Sequence, residues 1–447
     1  MKVDRTRFKK LFLVAGATMA LVAGLVSTVP SAYAGGTIKV DDDKFISIGM
    51  GVRTEFSAVQ HSSANGGGMG NNFQINNARI YVNGKIHKYV GYEFNTECYN
   101  CFTGAGGGAG FGGNSAIGLL DAIGKFEFNQ YANLWVGRML VTGERGELNG
   151  PFYHATFEGF KTPLNSADYS GNFGNGTSAG GVVNGSGLYG RDNGATFWGQ
   201  IDPAIGHLQY SVGVYSGLRN SGGGIGGGAN QQNNMLYAGR LTYNFFNAEK
   251  NPGYYTSGTY YGTAGDILAI AVGANHQMNG AGSFAAPSDL TIFVADLLFE
   301  KPLANNGGVI TVNAEAKQYF ANYNNATAFS GAANAANPGG TNAGCFCMFD
   351  GLSWTGYAMY LLPNEIGIGK LQPYVRFTSV QPNNSSKREE TEAGANYIIA
   401  GHNARISAFW QYGDLASKGS QGGPDIYSPL RQGDRAHAFK LALQFQY

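Results

Sequence analysis

Charge is scarce in this chain: aspartate, glutamate, lysine and arginine make up 13% of 447 residues, about half the share usual in soluble domains. The formal net charge is +1, so no basic excess is available to hold a nucleic-acid backbone. Beyond residue 34 no stretch is apolar enough to cross a bilayer as a helix, which takes about twenty residues. Nor does any segment there repeat its apolar positions at helical spacing. The 7 histidines are scattered, without HExxH or a comparable metal spacing. The 4 cysteines form no haem-attachment motif, because Phe102 follows Cys101 where a histidine would be needed. These absences argue against a helical membrane protein, a nucleic-acid binder and a metal- or haem-dependent enzyme, and no cofactor is expected.

Glycine is plentiful, at 70 residues, and aromatics reach 13%. So many Tyr and Phe exclude disorder and fit a chain that is half apolar by alternation, with loops of Gly, Asn and Ser. At the start, Lys2, Arg5, Arg7, Lys9 and Lys10 precede an apolar run over 11–26 and then Ala32-Tyr33-Ala34. That order predicts a secretory signal peptide over 1–34 and a single mature domain over 35–447. A retained anchor is the alternative, although the run is short for a span. The five basic residues of this leader and its Asp4 carry +4, which leaves −3 on the remainder. Export would place Cys98, Cys101, Cys345 and Cys347 in an oxidising compartment, where disulfides are expected. Free thiols, or a four-thiolate zinc site, are the other readings of these two close pairs.

The dominant signal has a period of two. In the final stretch "HAFKLALQFQY", His437, Phe439, Leu441, Leu443, Phe445 and Tyr447 fall on one face, while Ala438, Lys440, Ala442, Gln444 and Gln446 fall on the other. The same alternation recurs at 46–58, 78–86, 90–97, 116–129, 133–141, 189–201, 207–217, 234–246, 265–277, 288–301, 308–321, 353–363, 369–380, 388–399, 403–413 and 435–447. This predicts about sixteen strands joined by long loops on one side and mostly short turns on the other, the pattern of an all-β transmembrane antiparallel barrel with extracellular loops and periplasmic turns. The link over 247–264 breaks that rule, being too long for a turn. Lipid satisfies no backbone polar group, so a sheet crosses a membrane only when closed on itself. A soluble sandwich would bury its apolar faces in a core and rarely needs so many strands. Phe445 and Tyr447 would close the barrel at the inner interface and be read by the barrel-assembly machinery.

Several stretches resemble the trimeric porins of Gram-negative bacteria, most closely the phosphate-selective porin group: "FQINNARIYVNGKI" at 73–86, "LWVGRM" at 134–139, "GRDNGATFWGQ" at 190–200, "LQYSVGVYSG" at 208–217, "AGRLTYNF" at 238–245, "LQPYVRF" at 371–377 and "AGANYIIAGHNARISAFWQYG" at 393–413. The resemblance implies a homotrimer in outer-membrane lipid, with a third long loop, here 142–188, folding inward to narrow each pore. Glu144, Arg145, Glu147, Glu158 and Lys161 are its candidate constriction residues. The strand registers direct Arg53, Arg79, Lys85, Lys125, Arg138, Arg240, Lys317, Arg376, Arg405 and Lys440 inward, against Glu55, Glu93, Glu97, Asp121, Glu127, Asp296, Glu300, Glu315 and Glu392. A strict anion channel needs rings of basic side chains. Ten against nine departs from that, so phosphate specificity does not follow. The narrowest point is expected between the acids of the loop and wall arginines, chiefly Arg79 and Arg138.

Other chemistry is thinly supported. "GTSAG" at 176–180 matches a nucleophile elbow around Ser178, but its flanks are Gly, Asn and Ser rather than strand and helix. The runs "GAGGGAGFGG" and "GGGIGGGAN" lack the strand, helix and acidic partner of a dinucleotide site. The chain is therefore read as no enzyme but a passive channel for small hydrophilic solutes or ions, anions such as phosphate among them. An outer-membrane hydrolase and an adhesin or structural barrel without an open lumen are the competing classes. Small inner residues such as Ser47, Gly49, Gly51, Gly91, Ser211 and Gly213 favour the channel by leaving room for water.

Overall fold

The computed structural model describes residues 36–41, 43–63, 68–99, 116–162, 190–217, 230–283, 286–321, 350–383, 387–415 and 435–447. The chain runs through β1 (Gly36–Asp41), β2 (Lys44–Gln60), β3 (Met69–His87), β4 (Val90–Tyr99), β5 (Ala116–Glu127) and β6 (Asn133–Leu140). A short helix α1 (Arg145–Leu148) and a 3-10 turn (Pro151–Tyr153) follow. Next come β7 (Arg191–Ile201), β8 (His207–Tyr215), β9 (Leu236–Asn244), β10 (Ile267–Ser283), β11 (Ala286–Pro302) and β12 (Val309–Ala321). The chain ends with β13 (Gly351–Leu361), β14 (Glu365–Ile366), β15 (Gly369–Pro382), β16 (Arg388–Ala400), β17 (Ala404–Gly413) and β18 (Ala436–Gln446).

These 18 strands form one antiparallel sheet. The short β1 and β14 stand outside the ring, and the other sixteen close it, because β18 pairs back onto β2 with Leu441 opposite Phe56 and Gln444 opposite Arg53. Closure is completed at the chain end, where Met50 and Tyr447 exchange backbone hydrogen bonds of 3.1 and 2.8 Å. Beyond Tyr447 the partner of β2 is β1, which pairs Ile38 with Ile46 and Gly36 with Ile48. No free edge is left along β2.

Period-two alternation becomes inside against outside. Met50, Phe73, Ile80, Val272, Phe293 and Val375 all point outward and are exposed, whereas Arg53, Glu55, Asn275, Glu315, Arg376 and Gln444 point inward and are buried. An exterior this apolar is stable only in lipid, where a closed sheet is the sole strand architecture that satisfies its backbone. A closed antiparallel barrel with such a belt is the architecture of outer-membrane proteins. On the outer face Trp410, Tyr412 and His437 stack, with ring centroids 4.6–6.2 Å apart, and Trp410 Nε1 donates to His437 Nδ1 at 3.1 Å. Amphipathic rings of this kind suit the rim of a hydrocarbon slab.

Every strand expected from the alternation is present. The long loop expected at 278–287 is instead a continuation of the β10–β11 hairpin, in which Ser283 pairs with Ala286. Gly, Asn and Ser there read as loop, but the backbone of two neighbouring strands keeps pairing past the apolar belt. The link between β9 and β10 stands apart: it lies on the rim of short turns, yet it runs inside the barrel.

Candidate pore and its constriction

Residues 141–162 leave β6 and lie against the inner wall, which holds them largely by their backbone. Arg405 Nη1 donates to His154 O (2.6 Å) and Ala155 O (3.0 Å). Asn396 Nδ2 also reaches Ala155 O at 3.0 Å, and Gln444 Nε2 reaches Phe152 O at 2.8 Å. Arg53 donates to Phe157 O and Arg376 to Gly159 O. These wall arginines therefore satisfy the carbonyls of an irregular segment that would otherwise be stranded without partners. Between them, Ala155, Phe157 and Phe160 pack on Tyr357, Met359, Tyr374, Phe409 and Ala442, and Phe152 lies beneath the Arg79 guanidinium at 5.3 Å.

Most of the segment's side-chain charge is paired as well. Glu144 binds Lys317, Arg145 binds Asp296 (2.7 Å) and Glu249 (2.5 Å), Lys161 binds Glu390 (2.8 Å), and Glu158 binds Lys440. Glu158, Glu390 and Glu392 bring carboxylate oxygens within 4.8 Å of one another, a spacing compatible with a cation. Lys161, Arg376 and Lys440 already neutralise them, so no metal is assigned there. Burial alone would raise the Glu158 pKa, but Lys161, Lys440 and Arg376 outweigh it and hold that carboxyl well below its ordinary range. Glu147 behaves oppositely, because burial and then the neighbouring Glu144 carboxylate push it well above.

Residues 249–262 meet this segment from the other rim. Tyr254 and Tyr255 pack on Trp135, ring centroids 5.4 and 5.3 Å away, and Tyr254 Oη donates to Leu140 O. A cavity of about 940 Å³ opens against both segments. Arg79, Lys85, Glu93, Lys125, Glu127 and Tyr153 are among the residues lining it. Charge is balanced here too: Lys125 binds Glu93, Lys85 lies 3.7 Å from Glu127, and Arg79 holds Glu97 at 2.6 Å.

Of the expected wall residues, Arg53, Arg240, Asp296, Glu315, Lys317, Arg376, Arg405 and Lys440 meet 143–159 directly, Glu315 by accepting from Gly146 N at 2.9 Å. Asp121 faces inward with Arg191 at 3.0 Å. Arg138 does not belong with them. It pairs with Ala122 and Asn193, on the face that carries exposed Val136 and Phe197, while Lys125 and Trp135 take the inner face. Its Nε donates to Leu120 O at 3.0 Å. The register expected for this strand placed it in the lumen; in the structure the Leu120 carbonyl, at a bulge in β5, partners it on the other face. Among the described residues the acids of the loop do not meet Arg79 or Arg138: Glu144 meets Lys317, and Glu158 meets Arg376 and Lys440. Glu249 and His402 emerge as contact residues that alternation could not rank, since both sit in links. Cys98 is disulfide-bonded. Cys101, Cys345, Cys347, Ser178 and residues 163–188 lie outside the described residues.

No family model matches the chain, and neither does any curated protein. Among solved structures it is similar to the outer-membrane expressed OmpT of Vibrio cholerae (12% identity, 92% of this chain and 100% of that one, TM-score 0.47). It is also similar to an anion-selective porin from Comamonas acidovorans (11%, 90% and 99%, 0.48) and to Pseudomonas putida OprB in its high-pH structure (10%, 90% and 94%, 0.49). The barrel assignment itself rests on the strand register.

Proposed function

We propose that this chain is a general outer-membrane porin: a narrow water-filled channel through which small hydrophilic solutes or ions diffuse passively, assembled as a homotrimer. The observation that carries this reading is the cavity of about 940 Å³, lined in part by ion-paired side chains, inside a barrel with an apolar exterior. Sixteen strands enclose more space than wall side chains fill, and what narrows that space is chain that enters it. The paired charges of the wall favour weak discrimination between ions, so neither phosphate nor anions in general are singled out. The trimer follows from the resemblance to trimeric porins and is checked by a heat-sensitive oligomer band on a mild detergent gel.

Liposome swelling tests the reading directly. Liposomes carrying the purified protein are expected to swell in small neutral sugars and progressively less as the sugars grow. Impermeability to every solute, with the barrel folded, would favour a structural barrel with a filled lumen. That second reading has its own support in the dense pairing of the inner charges.

A further inference from the structure

The link between β9 and β10 lies on the short-turn rim, and its residues 249–262 turn into the lumen instead of crossing directly to β10. We propose that this segment is a plug, the inner half of a two-piece constriction whose other half is 144–162; the inference rests on the pore reading and says what sets its throughput.

The wall is built to seat it. A lumen bathed in water should be polar, yet Ile267, Ala269 and Leu298 form an inward apolar cluster on which Tyr260 packs. Val309, Leu361 and Ile398 form a second one under Tyr261. Between these clusters the Glu300 carboxylate accepts from Thr259 Oγ1 (2.6 Å), Tyr260 N (3.0 Å) and Gly262 N (2.8 Å). A carboxylate collecting donors from one turn fixes that turn more firmly than neutral pairs would. Across the segment, His402 Nε2 lies 2.9 Å from Thr259 O and 3.1 Å from Ser257 Oγ. Its ring sits 4.9 Å from that of Tyr261 and 5.3 Å from that of Tyr153.

The two halves also bind each other. Glu249 takes Arg145 in a two-pronged ion pair at 2.9 and 2.5 Å. Thr256 Oγ1 donates to Asn149 Oδ1 at 2.6 Å, and Gly258 N donates to Tyr153 O at 2.9 Å. Gly258 marks the crossing, since a Cβ there would stand 2.5 Å from Ala155 N; only glycine allows two backbones this close. Arg145 is held by Asp296 of the wall as well, so wall, outer segment and plug share one buried guanidinium.

The test replaces 250–262 with a short Gly-Ser turn and records single channels beside the unaltered protein, with heat-dependent gel mobility as the folding control. A severalfold rise in conductance is expected. An unchanged conductance in a folded variant overturns the plug while the steps of the parent keep the pore reading. Steps from the variant alone support a complete stopper and reject a standing pore. Silence from both, with both folded, overturns plug and pore together. Should the replacement fail to fold, the length-preserving double variant Glu249→Gln with His402→Gln takes its place: higher or noisier conductance is expected, and unchanged traces overturn the plug.

Discussion

Arg79 and Arg138 show what a single residue's sequence context conveys and what it leaves out. Both stand in strands and both were expected to point into the barrel. Arg79 does, lining the cavity and holding Glu97. Arg138 shares the outer face with Val136; the register read from the sequence directs it inward, although Leu134 and Val136 alternate in step with it. Arg79→Glu should therefore shift the reversal potential in a salt gradient toward cations, because a charge beside a low-dielectric wall is poorly screened. Arg138→Glu should leave it where it was, and equal shifts in both variants would contradict the placement. His402 offers a second residue-scale test. Loss of water and then the Arg405 guanidinium push its pKa down to about 3, against an ordinary 6.5. The unfolded chain therefore binds the proton more readily, so stability is full above about pH 6.5 and is lost as pH falls from there toward about 3. Thermal unfolding followed by circular dichroism should show that acid-side loss diminished in His402→Gln, and an unchanged pH profile would remove His402 from the account.

At the scale of elements, the strands were legible because membrane and lumen impose opposite polarity on successive side chains, and sixteen repetitions of one pattern leave little ambiguity. β1 was not, since its alternation is confined to Ile38 and Val40 within six residues, and it pairs where the end of β18 leaves that stretch of β2 open. The inserted segments were legible only in part. The aromatics of 152–160 suggested packing on a wall, and the length of 247–264 marked it as no ordinary turn, but contacts such as Arg145 with Glu249 join residues 104 positions apart and have no local signature. Closure is the element whose failure should be most visible. Tyr447 pairs with Met50 at the seam, and its ring lies in the outward set. Tyr447→Asp, or deletion of that residue, should leave the protein unassembled in the periplasm, as read by cell fractionation and loss of the heat-modifiable band. Normal outer-membrane amounts of either variant would show that the seam does not depend on it.

For the whole molecule, the balance that appears in the sequence as ten inward bases against nine inward acids appears in three dimensions as ion pairs. Wall cations hold carbonyls and carboxylates of residues 143–159 and so leave little free charge for passing solutes. The barrel supplies a wide, rigid frame; the inserted segments determine how much of it remains open. Single-channel recording in planar bilayers tests this most directly. The account predicts discrete steps of small conductance and a reversal potential near zero in a potassium chloride gradient. Folded, inserted protein that gives no steps, or that passes one ion almost exclusively, would contradict it.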